Sequence, residues 1–331
     1  MYFIPEDSRH EQVKQQHHQE QCAGRQHICQ WLALDGSSVV DSGDRNRTTL
    51  AGDGATLTGT NGNVVATGDN AFVSLAGTNN AANVSGDGAF VMIKGTFNDA
   101  TVSGDGAAAN MSGSDNSLIS TGSGMAVFLS GTDNDVTIKG SFSSVSDLGT
   151  GNSISLKGDQ DSASLAGSDG YITVTGSSDF VRLQGSDNVA VARGDDGTVV
   201  DNGTGDYVVL AGHGNSVQMV GTDSVALVLE NGANIQLIGT DNTAIVKGDH
   251  ASLLDVGLGD TIDLRGDHEN ATVIGSNAHI TSTGRGNAIA VIGSGDSVDA
   301  TNASITVGNG TSTSVNGDYN AIARVPARRS P

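Results

Sequence analysis

Glycine returns every nine residues from Gly59 through Gly68, Gly77 and Gly86 to Gly293, and Glu230 alone breaks the series. The sixth place is apolar in all 27 units. In the unit Gly131-Thr132-Asp133-Asn134-Asp135-Val136-Thr137-Ile138-Lys139, places 6 and 8 alternate with polar neighbours. That is the period-two pattern of a strand with one buried face. Glycine with Asp or Asn at places 1 to 4 marks a turn. Nine residues have no room for a helix beside a turn and a strand, and the spacing does not drift. The physical solution is a stack of short strands in a solenoid.

A second period refines the first. Units opening at Gly77, Gly95, Gly113, Gly131, Gly149, Gly185 and Gly239 begin Gly-(Thr or Ser)-x-Asn, whereas those at Gly68, Gly86, Gly104, Gly158, Gly194, Gly248 and Gly266 begin Gly-Asp. The expected fold is therefore an all-β, parallel β-solenoid, like a β-helix or β-roll, with two nine-residue strand–turn units in each 18-residue coil. At about 4.8 Å per coil the regular units would form a rod roughly 65 Å long.

A repeat array grows in one dimension, so 331 residues need not divide into globular domains. The expected division is a cap or targeting segment over residues 1–35, partly helical, a solenoid over 36–325 and a basic tail over 326–331. Within the first segment, Ile28 to Leu34 are expected to cover the open end of the core. Residues 36–58 enter the repeat imperfectly, and the register jumps after Gly293. An irregular coil near Asp299 to Val307 would absorb the jump. Cys22 and Cys29 stand near His10, His17, His18 and His27, but a C-x6-C spacing without a second pair is a poor zinc framework.

Net charge of −21 excludes nucleic acid as a natural partner, because phosphate binding needs a basic stripe. No apolar run reaches the length of a membrane span. The start Met1 to Asp7 lacks the basic and apolar regions of a secretory leader. The expected location is outside the cell or on its surface by another route, with the cytoplasm also open. No G-x-S-x-G elbow with partners, phosphate loop or H-E-x-x-H stands in the chain. The sequence predicts a non-enzymatic protein that needs no cofactor.

Four features are candidates for function. Thr60, Thr78, Thr96, Ser114, Thr132, Thr150, Ser168, Ser186, Thr204, Thr222 and Thr240 recur every 18 residues, accompanied by Asn80, Asn98, Asn116, Asn134, Asn152, Asn188 and Asn242. These files would either stack coil on coil as structure or present a regular surface to ordered water or a lattice. Outward places turn apolar in the C-terminal half: Val220, Ile238, Val256, Ile274 and Ile292 at place 9, Tyr171, Val189, Tyr207 and Val225 at place 5, and Val191, Val209, Leu227 and Ile245 at place 7. Such a face implies a homo-oligomer, a protein or surface partner, or a terminal segment laid over it. A locally shifted register that buries these residues is the other reading.

Asp147, Asp201 and Asp255 occupy the inward eighth place, each two residues before a glycine. Capping of the following turn suits them better than acid–base work. Asp161 and Asp179, one coil apart, have about the spacing of a retaining glycosidase pair, though a turn ladder offers no cleft. Asp249-His250 and Asp267-His268-Glu269 also repeat one coil apart. They are expected to be solvated turns, with metal binding or a response near pH 6 as the functional reading.

Gly-Thr-Gly-Asn at Gly149 to Asn152 and Gly-Thr-Asp-Asn at Gly131 to Asn134 resemble the nonapeptide β-roll repeats of RTX secreted proteins, a group that includes ice-binding adhesin regions. The resemblance covers about residues 59–301. It departs from the calcium repeat G-G-x-G-x-D-x-U-x in lacking a paired opening glycine and in adding a second buried apolar place. More broadly the chain resembles bacterial short-repeat solenoid adhesins and exoproteins. That resemblance implies a secreted, non-enzymatic role, with lattice binding through the Thr and Asn files or a calcium-stabilised roll as alternatives.

Overall fold

The computed structural model describes residues 30–33, 38–41, 44–45, 47–50, 54–309 and 311–325. Its 34 strands form two parallel sheets of 17, and successive strands alternate between them. One sheet runs from Gln30–Ala33 to Thr313–Asn316, the other from Ser38–Asp41 to Ala321–Arg324. Between the terminal coils each strand residue pairs with the one 18 places on, as Ser117 with Asp135 and Tyr171 with Val189. The expected parallel solenoid with 18-residue coils is the observed fold. Among the described residues neither sheet closes on itself: Ser38–Asp41 pairs only with Gly54–Leu57, and Ala321–Arg324 only with Ser304–Val307. Seventeen strands at about 4.8 Å extend the rod to roughly 80 Å, longer than the regular units alone imply.

The extra length comes from the imperfect units at both ends, which join the stack as shorter coils. Ser38 pairs with Gly54 and Arg47 with Asn63, 16 residues apart. This shift brings Thr48 into the inward file in front of Val64. At the other end Ala288 pairs with Ser304, so the irregular coil falls where the register jump placed it. Of the expected cap, Gln30–Ala33 is itself a strand paired with Arg47–Leu50. The rest of that segment, the cysteine–histidine group and the basic tail lie outside the described residues.

Each unit places three residues inside rather than two. Places 6 and 8 carry the apolar core, for instance Val136 and Ile138 facing Val127 and Leu129 of the other sheet's register, all buried. Place 4, assigned by sequence to the turn, is also buried throughout the array, whether Asn80, Ala89, Asn134, Asp161 or Ala233. Place 3 supplies the reversal: its backbone is left-handed in unit after unit, as at Asn79, Asp133, Asp187 and Asp241. Asn, Asp and Gly tolerate that conformation best, which explains their dominance there. Place 1 is glycine for another reason. A Cβ on Gly176 would overlap the carbonyl oxygen of Gly158 in the preceding coil.

Two substitutions separate these requirements. Gly176→Ala has no space to enter and is expected to lower stability by about 2–4 kcal/mol. Ser178→Gly relieves a φ of 61° at an exposed place 3. Relief of left-handed strain exceeds the added chain entropy, for a net gain of roughly 0.5–1 kcal/mol. Chemical denaturation of both variants against the parent checks the order and the signs.

Candidate functional site

The two kinds of corner differ in how they satisfy the backbone, and this accounts for the 18-residue alternation. At the Gly-Thr corners, place 2 forms a bridge with the next coil, from Thr132 to Thr150 to Ser168 and onward to Ser294. At the Gly-Asp corners the side chain accepts instead. Asp87 N–H donates to Asp69 at 3.0 Å, Asp105 N–H to Asp87 at 2.9 Å, and Ser123 N–H to Asp105 at 2.7 Å. The acidic turns are thus partly a ladder of side-chain acceptors for backbone donors.

The Thr and Asn files, grouped together by sequence, separate in space. Thr78, Thr132, Thr150, Thr204 and Thr222 are exposed, Thr96 and Thr240 half-buried. Asn80, Asn98, Asn116, Asn134 and Asn152 are buried. Each buried Asn Oδ1 accepts from the backbone N–H of the same place one coil earlier. Asn116 N–H donates to Asn134 and Asn134 N–H to Asn152, at 3.0 and 2.9 Å. The Nδ2 of Asn134 donates outward to Gly113 O at 3.2 Å and onward to Asn152 Oδ1 at 3.1 Å. The Asn residues therefore take the structural role and leave the surface to Thr.

The inward carboxylates belong to the same network. Gly149, Gly203 and Gly257 N–H donate to Asp147, Asp201 and Asp255, each at 2.8 Å, which is the turn capping expected from sequence. Asp161 and Asp179 are stacked place-4 residues, buried and joined through backbone: Asp161 N–H donates to Asp179 Oδ1 at 2.9 Å. They face the interior, without access for a sugar ring. Glu230, the one break in the glycine series, is explained here too. Its coil has Ala233 at place 4, which accepts nothing, and Glu230 reaches in to accept Asn215 N–H at 3.0 Å and Asn215 Nδ2 at 2.8 Å. The sequence signal was present, an acid three residues before a place 4 without an acceptor, but it needs the inward role of place 4 to be recognised.

Burial, the leading cause in each case, raises six of the inward carboxyls above their ordinary range. Asp179 is pushed up to about 6, and Glu230 and Glu269 up to about 7. Asp147, Asp161 and Asp296 are raised as well, against opposing hydrogen bonds from backbone N–H groups. The histidines are separate from them. His250 and His268 stack at the exposed turn tips with centroids 5.2 Å apart. Glu269 points inward to Ala251 N–H, while Asp249 accepts Asp267 N–H. Among the described residues no three His, Cys, Asp or Glu side chains converge as a metal site would require.

The apolar ladders lie in unbroken register on the outer face of one sheet. Tyr171, Val189, Tyr207 and Val225 are paired in sequence, as are Val191, Val209, Leu227 and Ile245, so no register shift buries them. Tyr171 is 43% exposed and Tyr207 37%, with Val189, Val209, Val225, Leu227 and Ile245 half-buried by one another. Val191 departs from expectation: at 8% exposure it is covered by its neighbours. Ser153 and Ser155 border the face on one side, Thr261 and Asp263 on the other. Val220, Ile238, Val256, Ile274 and Ile292 run along the adjoining Gly-Thr corner, all exposed.

The N-terminal half is less uniformly polar than its sequence suggested. Phe72, Phe97, Ile119, Phe128, Phe142 and Leu148 are exposed, but they occupy six different positions of the 18-residue coil and so do not stack into one face. Phe72 and Phe90 stack with ring centroids 5.8 Å apart. No helix among the described residues is long and apolar enough to cross a membrane. Comparison with protein families, curated proteins and solved structures finds no match to the chain.

The separation of the files has a measurable consequence. Asn134→Ala strips partners from several buried groups at once and is expected to cost about 3 kcal/mol. Thr132→Ala, two residues away and exposed, is expected to cost less than about 0.5 kcal/mol. Denaturant titration decides, and equal costs would place both side chains in the same environment.

Proposed function

We propose that this protein is a non-enzymatic, exported scaffold that binds a partner or surface along its length and self-associates through its C-terminal half. The observation that carries this reading is the apolar face from Tyr171 to Ile245, five strands in register with a polar border. Contiguous apolar surface with a polar rim is the composition of an association surface. A second copy is the simplest occupant, because flat sheet faces pack on each other at about 10 Å with side chains interdigitated. Exported solenoids of short repeats, which the sequence resembles, have roles compatible with such assembly.

Size limits the strength of the association. Five strands at about 4.8 Å, each four residues long, cover roughly 250 Å². A standard interface buries about 800 Å² on each partner. The face alone supports a weak, concentration-dependent dimer, and the corner file from Val220 to Ile292 enlarges it where the partner wraps the edge. The exposed Thr file at the same corner favours lattice binding as a second reading, now through Thr without Asn. Retention of the circular dichroism signal with chelator present would speak against a calcium-stabilised roll.

Light scattering over a concentration series tests the assembly reading. Since Val191 is covered, the chosen variant is Tyr207→Lys with Val209→Lys and Leu227→Lys, with circular dichroism to confirm the fold. The parent is expected to dimerise as concentration rises, and the folded variant to remain monomeric. A parent that stays monomeric throughout removes self-association.

A further inference from the structure

Two of the buried acids occupy positions that elsewhere require a hydrogen-bond donor. In the coil of Asp147, Asn152 follows five residues later and its Nδ2 donates to Asp147 Oδ1 at 2.8 Å and to Gly131 O at 3.2 Å. Asn287 repeats the arrangement, donating to Ser282 Oγ at 3.0 Å and Gly266 O at 3.2 Å. At the two other coils with an inward Asp at place 8, the residue five places on is Asp206 after Asp201 and Asp260 after Asp255.

Asp206 and Asp260 keep half of the Asn role. Each accepts the place-4 N–H of the preceding coil through Oδ1, from Asn188 at 2.7 Å and from Asn242 at 2.8 Å. Their Oδ2 atoms stand where Nδ2 stands in Asn152, tucked under Gly203 and Gly257 beside the carbonyl oxygens of Gly185 and Gly239. All four acids are 0–1% exposed, and the Oδ2 atoms of Asp201, Asp206, Asp255 and Asp260 have no other hydrogen-bond partner. An ionised Oδ2 would point only at acceptors. A protonated one donates.

We propose that Asp201–Asp206 and Asp255–Asp260 are buried carboxyl pairs that each retain a proton, forming acid-stabilised latches across the Gly-Thr corners of the C-terminal half. The surroundings contain nothing else to neutralise them. Asp206 is packed against Asn188, Ser224 and Asp201, and Asp260 against Asn242, Asp255 and the backbone of His279, whose side chain is exposed, with Asp241 on the neighbouring turn and Asp296 near Asp255. Among the described residues the ion pairs are Arg45–Asp44 and Arg265–Asp263, both at the surface. Burial first, then the companion Asp, raises Asp206 and Asp260 above the ordinary carboxyl range.

With the ordinary value as the unfolded reference, the folded chain holds protons that the unfolded chain has released. The latches are therefore complete at acid pH and are weakened as pH rises toward and through neutrality. The test is the variant Asp206→Asn with Asp260→Asn, which installs the residue already used at Asn152. Urea unfolding at about pH 5 and about pH 8 is compared with the parent, and infrared spectroscopy at about pH 6 follows the carboxylic-acid carbonyl band. The folded variant is expected to match the parent at acid pH, to gain about tenfold or more in its folding equilibrium at alkaline pH, and to lose acid-band intensity. An equal effect at both pH values, or an unchanged acid band, overturns the proposal. Calcium chloride added at about pH 8 is a further arm: stabilisation of the parent but not of the variant would make the pairs a cation site instead and overturn the shared proton.

Discussion

The structure depends on how each corner disposes of the backbone N–H at place 4. That group is buried on a turn, beyond the reach of the sheet ladder, and an unpartnered donor there would cost about 1–3 kcal/mol in every coil. In many coils the chain answers with an acceptor carried by the same place of the next coil, and at Asn215 with Glu230. Asn80 N–H donates to Asn98, Asn98 N–H to Asn116 and Asn116 N–H to Asn134. Where a coil supplies its predecessor's acceptor in this way, the two corners are held in one register at one repeat length. Glycine at place 1 serves the same end by letting successive corners approach closely.

The repeat, the coil length and the two parallel sheets were legible because they rest on local rules, a period of two within strands and glycine at fixed spacing. Place 4 was not legible. Asn at Asn134 looks like an ordinary turn residue, and only the three-dimensional corner turns it inward, so polarity concealed a core position. The same blind spot grouped Thr132 with Asn134 along one edge, either both structural or both surface, when one is exposed and the other buried. Asp147, Asp201 and Asp255 were legible as caps since their inward place followed from alternation alone. Val191 illustrates the opposite error: its outward place was right, but its neighbours cover it.

Among the described residues the interior carries many acids and no Lys, Arg or His. Glu230 stands in for a missing place-4 acceptor, Glu269 reaches Ala251, and Asp206 and Asp260 replace Asn. Each gains backbone hydrogen bonds that favour the carboxylate, and each loses hydration that favours it more. The outer surface follows a different logic. There the stacked repeat multiplies whatever a place contains, so four or five apolar choices at places 5 and 7 become a continuous face, whereas scattered Phe97, Phe128 and Phe142 do not.

The central claim is that 18 residues, not nine, form the unit whose corner ladders hold the rod together. Deleting Ser114 to Gly131 removes one whole coil, whereas deleting Ser114 to Gly122 keeps the inward apolar alternation of the remaining strands but stacks Gly-Thr corners on Gly-Asp corners. Thermal and denaturant unfolding of the two deletions measures the difference directly. The 18-residue deletion is predicted to fold cooperatively with only a modest loss of stability, and the nine-residue deletion to be far less stable. Equal stability of the two would contradict the account, since apolar alternation alone would then suffice.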